Sequence, residues 1–389
     1  MEERKLRMGM IGGGGNAFIG PIHLRAAIME NDIELVCGCF SRTYETSLAT
    51  GKKWYVPENR IYPTYQEMLE KEAQLPESER MDFVAIVTPN KFHFEQAYMA
   101  LDKGFNVVLD KPMTFSLDEA IKLRDKVEET GLVFALTHTY TAFPAMKEIK
   151  RRIQAGSLGK LRRVCVEYLQ GWLSERIELL GGNNAGWRTD PKLSGKGGCL
   201  GDIATHAWHL CEYATGLKVT ELCAELHTFV EGRPIDDDAA AFLHFEQGVT
   251  GTLHATQIAV GEENDIHIRI YGEKGGLIWR EQEPNTIIAT WTGRPAEVIR
   301  IGSGHQYLDS WARFNTRTPG GHPEGYIEAF SNIYRNFALT VRAKKAGETP
   351  KPEWLDFPPV HEGLRGMQFI ETMFESNKSD GKWTKWIEK

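Results

Sequence analysis

Three clusters of residues in this sequence are of types that can do chemistry. Asp202 and His206 stand four apart in a stretch with helical spacing, and His209 extends the same face. A carboxylate beside an imidazole orients the ring and favours its protonated form, which is how a base for an alcohol proton is built. The spacing equally suits a capping Asp202 with His206 packed in a core. With His209 it could begin a metal site, but no further ligand cluster accompanies it, so none is expected. Lys111 follows the strand read at 106–109, in Asp110-Lys111-Pro112. At the carboxyl end of a parallel strand a lysine stands where open α/β sheets bind ligands; an ordinary surface lysine is the alternative. The third cluster is Gly12-Gly13-Gly14-Gly15-Asn16-Ala17, in which Gly12, Gly14 and Ala17 fit the dinucleotide fingerprint G-x-G-x-x-A. There Gly12 permits the turn, Gly14 admits a pyrophosphate and Ala17 allows close packing, with helix N–H groups facing the phosphates.

These clusters need elements to hold them. Residues 7–11 read as a buried strand and 21–29 as a helix with Pro21 at its first position, so Phe18, Ile19 and Gly20 lengthen the loop. Residues 33–40 form a second strand, followed by Ser41 and Arg42. An NAD enzyme usually carries an acidic residue here; Arg42 suits a 2′-phosphate instead, or is simply exposed. Thr64 opens a helix, and 71–80 read as a charged, solvated connection. Strand 82–87 leads into Thr88-Pro89-Asn90, and His93 starts the next helix. Ser116 and Glu119 form a capping box for a helix ending at Gly131, before strand 132–137, His138 and Tyr140. Strands alternating with helices over 1–140 imply a doubly wound parallel sheet.

Beyond 140 the pattern changes. Helix 144–155 and strand 161–168 precede a long Gly-rich stretch, 171–201, and a helix at 201–213. Strands at 221–230, 239–245, 250–255, 266–271 and 287–291 follow with short turns, so 141–389 reads as an α+β domain with a large, mostly antiparallel sheet. Helices 325–345 and 360–376 close the chain and could pack back on the first domain. The net charge of −7 and pI near 6.0 argue against general nucleic-acid or membrane-surface binding. No apolar run reaches the length of a membrane span and the N-terminus lacks a signal-peptide core, which favours the cytoplasm. The six scattered cysteines, with Cys37 and Cys39 on one strand face, read as buried thiols.

Taken in order, the glycine loop, Thr88-Pro89-Asn90-x-x-His93, Lys111-Pro112 and Gly197-Gly198-x-x-Gly201-Asp202-x-x-x-His206 resemble the Gfo/Idh/MocA superfamily of nicotinamide-dependent sugar and polyol oxidoreductases. The resemblance covers essentially the whole chain. The stretches 15–23, Gln170-Gly171-Trp172-Leu173, Trp187-Arg188-Thr189-Asp190-Pro191 and Gly321-His322-Pro323-Glu324-Gly325-Tyr326 look like the branch that includes levoglucosan dehydrogenase. The resemblance implies a Rossmann domain, an open sheet that serves homo-oligomerisation, and the triad Lys111, Asp202 and His206. Asp110 replaces the family's usual glutamate, and His209 stands where relatives often carry Asp or Asn. Branch relatives include NAD users, so the expected cofactor is NAD(P), with NAD ahead of what Arg42 alone suggests.

The resulting expectation is a dehydrogenase that converts a secondary hydroxyl of a sugar, anhydrosugar or glycoside to a ketone. His206 takes the proton, Lys111 stabilises the alkoxide and Asp202 orients His206 or the substrate; His206 and Lys111 can exchange roles. Cofactor contacts are expected from Gly12, Gly14, Gly15, Asn16, Ala17, Phe18, Ile19, Ser41, Arg42, Thr88, Pro89, Asn90, His93, Asp110, Lys111, Pro112, Trp187 and Arg188. Tyr140, Trp187, Arg188 and His322 join the triad as substrate candidates. Three rivals stand beside this reading: an NAD-dependent redox-assisted glycosidase, a non-catalytic cofactor sensor and a metal hydrolase.

Overall fold

Five short runs rich in Val, Ile, Leu and Met carry almost no polar residue, the signature of strands covered on both faces. In the computed structural model, which describes residues 4–181 and 184–388, they are β1 (Leu6–Gly12), β2 (Ile33–Cys39), β3 (Phe83–Val87), β4 (Asn106–Leu109) and β5 (Phe134–Leu136). They form one parallel sheet in the order β2-β1-β3-β4-β5. The order reverses between β1 and β3, the switch point outside which such sheets bind ligands. Helices α1 (Ile19–Ile28), α2 (Tyr44–Lys53), α3 (Tyr65–Gln74), α4 (His93–Asp102) and α5 (Leu117–Thr130) connect the strands. Both halves of the Ser116–Glu119 capping box form on α5, and Gly131 ends it in the left-handed region at φ 64°. The polar run 44–53 gave no helical signal. It is helical because Gly51 lets it lie against Ile61, whose Cδ1 would be 2.4 Å from an added Cβ.

The chain divides into two compact units. The first runs to Thr137 and includes Phe330–Leu364 from the closing helices; the second holds His138–Gly181, Ala185–Ala329 and Arg365 onwards. In the first unit Phe337 packs edge-on to Phe83 of β3 at 5.0 Å, and His23 of α1 bonds the Tyr334 hydroxyl across 2.7 Å. One expectation fails here. Residues 71–80 are not simply solvated, because Glu72 is fully buried and gathers Arg60, the Tyr62 hydroxyl and the Met81 N–H.

The second unit holds a nine-stranded sheet: β6 (Leu161–Leu169), β7 (Val219–His227), β8 (Asp238–Phe245), β9 (Thr250–Thr256), β10 (Asp265–Gly272), β11 (Gly275–Arg280), β12 (Thr286–Trp291), β13 (Arg294–Arg300) and β14 (Thr384–Lys385). Its order is β13-β12-β11-β10-β6-β9-β8-β7-β14, with β6 and β9 parallel and the other pairs antiparallel. The unanticipated strands are the glycine-led β11, the exposed β13 and the two-residue β14, which lack the apolar alternation that marks the rest. The Gly-rich stretch is not a bare loop. Around residues 182–183, which lie outside the described ones, it carries the helical turns Ile177–Leu180, Ala185–Arg188 and Pro191–Ser194. The expected helix at 201–213 begins one residue earlier as a π turn, Leu200–Ala204, and continues as an α-helix, Thr205–Thr215. Cys37, Cys39, Cys199 and Cys211 are buried thiols, whereas Cys165 and Cys223 are partly exposed. No described helix is long and apolar enough to cross a membrane.

Candidate active site

The glycine loop leaves β1 at the switch point. Gly12, Gly13 and Gly15 take φ of 86°, 79° and 62°, which side chains rarely adopt. The loop differs from expectation at three places. Helix α1 starts at Ile19, so Ile19 and Gly20 belong to it and Pro21 is its third residue, still among positions whose N–H has no intrahelical acceptor. The residue that allows close packing is Gly20 rather than Ala17, since a Cβ at Gly20 would sit 2.2 Å from the Gly13 carbonyl oxygen. At Gly14 a Cβ would meet the Phe40 carbonyl oxygen at 2.7 Å and Thr50 Oγ1 at 2.8 Å, so glycine is demanded by the end of β2 and by α2. The Gly14 N–H donates to Phe40 O at 2.9 Å and the Gly15 N–H to Thr50 Oγ1 at 3.1 Å. No side chain caps α1 and no acidic residue enters its first turn. A glycine turn opening into an uncapped helix fits a dinucleotide phosphate. Asn16, Phe18 and Arg42 are exposed; Ile19 and Ser41 are partly so.

At the ends of β3 and β4, Thr88 Oγ1 donates to Gln96 Oε1 at 2.7 Å. Asp110 turns back on its own strand end, where Oδ1 accepts from the Lys111 N–H at 2.9 Å and from Thr137 Oγ1 at 2.8 Å. Asn90 is buried. His93 is wholly buried, with Nδ1 2.9 Å from the Pro112 carbonyl oxygen and Nε2 2.8 Å from that of Thr88. Its side chain is therefore a brace between two strand-end loops, not a group presented to a ligand. Burial lowers its pKa below the ordinary histidine value, and a neutral ring donates to only one of those carbonyls.

In the second unit, side chains from distant segments converge on His206. The His206 Nδ1 lies 3.4 Å from the Nδ1 of His138, and the Tyr140 ring stands edge-on to His206 at 5.0 Å. His138 stacks on His209 at 4.3 Å. Asp202 Oδ2 accepts from Gln257 Nε2 at 2.9 Å and pairs with Arg188 Nε at 3.5 Å, while the Arg188 guanidinium lies over Trp187 at 4.4 Å. The Tyr140 hydroxyl closes a ring of hydrogen bonds: it is 2.5 Å from the Tyr168 hydroxyl, which donates to Asn264 Oδ1 at 2.7 Å, and Asn264 Nδ2 donates back to Tyr140 at 3.0 Å. Burial pushes the Tyr140 phenol up to about 12. Beneath this cluster the Asp236 carboxylate accepts from the Gly198 and Leu200 N–H groups at 2.8 and 2.7 Å and anchors the start of the helix. Gly198 is required there, since its Cβ would fall 2.2 Å from the Asp236 carbonyl oxygen.

The profile of the oxidoreductase family with an NAD-binding Rossmann fold, GFO/IDH/MocA, matches residues 6–138, and that of the GFO/IDH/MocA C-terminal domain matches 146–278. The chain belongs to the GFO/IDH/MocA oxidoreductase family. Two structures of an inositol dehydrogenase homologue from Azotobacter vinelandii, one with NAD+ and one with NADH and myo-inositol, are 31% and 30% identical to this GFO/IDH/MocA protein. They superpose with TM-scores of 0.93 and 0.91, covering 98% of each chain. The uncharacterized oxidoreductase YfiI of Bacillus subtilis is 29% identical over 98% of this chain and 96% of its own. Levoglucosan dehydrogenase of Pseudarthrobacter phenanthrenivorans is 25% identical over 58% of this chain and 63% of its own. It is a relative, as the motifs suggested, but the first two are more similar. Named relatives of this family member include dehydrogenases of sugars and polyols, and its Rossmann domain is of the NAD-binding kind.

Within the second unit the fold gathers Tyr140, Trp187, Arg188, Asp202 and His206 around or beside the cluster. His322 lies on an exposed turn. The member of its motif that reaches the cluster is Tyr326, 6.3 Å from Tyr140. Sequence reasoning missed His138, Tyr168, Gln257 and Asn264. Tyr168 had a signal, a polar-tipped residue at an inward position of β6 after Val164 and Val166. Gln257 and Asn264 flank strands and carry no such mark.

Proposed function

We propose that this protein is an NAD-dependent dehydrogenase that oxidises one secondary hydroxyl of a cyclic polyol or sugar, such as an inositol, an anhydrosugar or a glycoside, to a ketone. The observation that carries this reading is the composition of the His206 cluster: an imidazole buried among aromatic rings, with Asp202, Arg188 and Gln257 beside it. Ring faces next to paired polar groups suit a saturated ring that bears several hydroxyls.

When bound, NAD+ supplies the hydride acceptor, so that the secondary alcohol and NAD+ give the ketone, NADH and a proton. Gly12–Gly15 and the first turn of α1 hold its phosphates. His206 takes the hydroxyl proton, Lys111 provides positive charge for the developing alkoxide, and Asp202, held by Gln257 and Arg188, accepts from a neighbouring substrate hydroxyl. Trp187 offers a ring face to the substrate, and the buried Tyr140 packs edge-on behind His206. Arg42, exposed after β2, leaves NADP as a weaker second cofactor, and the open face of the nine-stranded sheet pairs copies of the chain in the cytoplasm. A scan of inositols, anhydrosugars and glycosides with NAD+ and NADP+, followed by NADH and NADPH absorbance, tests the reading. Turnover of one substrate class with net NADH supports it. Sugar cleavage without net NADH would replace it with the redox-assisted glycosidase.

A further inference from the structure

We propose that His138 is the positioning residue of the base: its Nδ1 accepts the Nδ1–H of His206 and so holds His206 in the tautomer that leaves Nε2 bare. The inference rests on the assignment of His206 as the base.

Two imidazole nitrogens 3.4 Å apart, on rings only 2% and 8% exposed, face each other stably only when one carries a proton and the other a lone pair. Two N–H groups or two lone pairs would repel, and burial removes the water that could separate them. A base must present a bare nitrogen to the alcohol. With His206 Nδ1 turned to His138, that nitrogen is Nε2, so the Nδ1 proton belongs to His206 and the His138 Nδ1 is the acceptor. His138 is fixed for this task by its stack on His209, 4.3 Å between centroids and 22° between planes, and by its edge-to-face contact with His206 at 5.2 Å. A carboxylate in the same place would add negative charge and raise the basicity of His206. A neutral imidazole selects the tautomer without that charge. The Asp202 carboxylate is meanwhile engaged by Gln257 and Arg188. The distance is long for an N–H···N bond, as catalytic hydrogen bonds often are before substrate tightens them.

The decisive measurement is 15N NMR of histidine-labelled full-length protein without cofactor or substrate. The expected His206 signal is the Nδ1–H tautomer, moving toward Nε2–H in His138→Phe, a ring that keeps the stack on His209 but cannot accept. Kinetics give the second readout. His138→Phe should lower kcat about 10- to 100-fold and shift the acid limb of the kcat/KM pH profile, with the KM for polyol and the NAD affinity little changed. His138→Asn, whose side-chain carbonyl can accept, should recover most of the rate. An Nε2–H tautomer in the native protein, an unchanged pH profile in His138→Phe, or equal losses in both variants with a lowered Tm would overturn the proposal. Undiminished turnover in His206→Ala would instead remove the base assignment itself, and the tautomer measurement would still report on the histidine pair.

Discussion

The glycine loop after β1 and the His206 cluster both concentrate polar groups, by opposite means. The loop works through backbone. Gly12, Gly13 and Gly15 adopt positive φ, Gly14 and Gly20 vacate space that a Cβ would occupy, and the uncapped α1 offers its N–H groups. All of this lies within a single short stretch of chain. The cluster works through side chains brought from Tyr140, Tyr168, Arg188, His206, Gln257 and Asn264, which hydrogen-bond one another or meet Asp202 and His138. A backbone site tolerates change in side-chain chemistry but not in side-chain volume. A side-chain site tolerates neither.

The sharpest way to break that contrast is at the chemical step. His206→Ala and Lys111→Ala should each lower kcat by about 10²–10⁴ while NAD affinity, read by calorimetry, barely moves. Their double mutant should lose less than the product, because groups acting as a unit are not additive. Near-normal turnover in either single mutant would contradict its assigned role.

The two regions should also answer acid with opposite signs. Burial pushes His23, on α1, down to about 4 from 6.5. The unfolded chain takes up that proton first, so the contribution to stability is lost as pH falls from 6.5 toward 4, by up to about 3 kcal/mol. Burial pushes Asp236, under the His206 helix, up to about 6 from 3.8, against the pull of the two N–H groups it accepts. Its folded form keeps the proton longer, so its contribution is full below 3.8 and lost as pH rises through 6, again by up to about 3 kcal/mol. Hydrogen-exchange protection, corrected for the intrinsic exchange rate, should therefore fall in α1 and rise in Thr205–Thr215 as pH drops from 6 to 4. His23→Gln should cancel the first slope and Asp236→Asn the second. Slopes of one sign would show that these two groups do not govern the local response.

A smaller effect isolates volume from chemistry. Gly20→Val puts a Cβ 2.2 Å from the Gly13 carbonyl oxygen, so the loop must shift. NAD affinity should fall on the order of 100-fold, while the 15N histidine signals of the second unit stay in place; the magnitude is that of a few kcal/mol of backbone strain. Unchanged affinity would mean that the packing of α1 does not shape the loop. The smallest effect concerns Arg42, exposed beyond β2. Arg42→Ala should weaken NADP by about threefold or more, with NAD hardly affected, as expected for one exposed charge contact. Equal losses would show that Arg42 does not meet the ribose.

Most of the architecture is legible in the sequence. Gly12 to Gly15, the Ser116 capping box, Gly131 and the apolar runs of β1 to β5 each act through neighbours in sequence, so local rules find them. The same rules placed Lys111 at a strand end and Asp202 with His206 on one helix. They missed α2, because its stability comes from Gly51 lying on Ile61 rather than from its own polar residues. They missed β11, β13 and β14, which pair by position in the sheet and carry no apolar alternation.

They also could not say which of several polar residues meet. His93 was a plausible ligand contact until its two nitrogens proved to lie on the carbonyls of Thr88 and Pro112. His138, unmarked in sequence, stands against His206 only because the chain entering at the end of β5 passes a helix that begins far later in the sequence. By itself the sequence determined the backbone devices and offered a set of candidate side chains, since conformational preference and charge belong to a residue and its neighbours. The tertiary structure decided the partner of each side chain, because a hydrogen bond requires two groups within about 3 Å and long-range packing alone sets that distance.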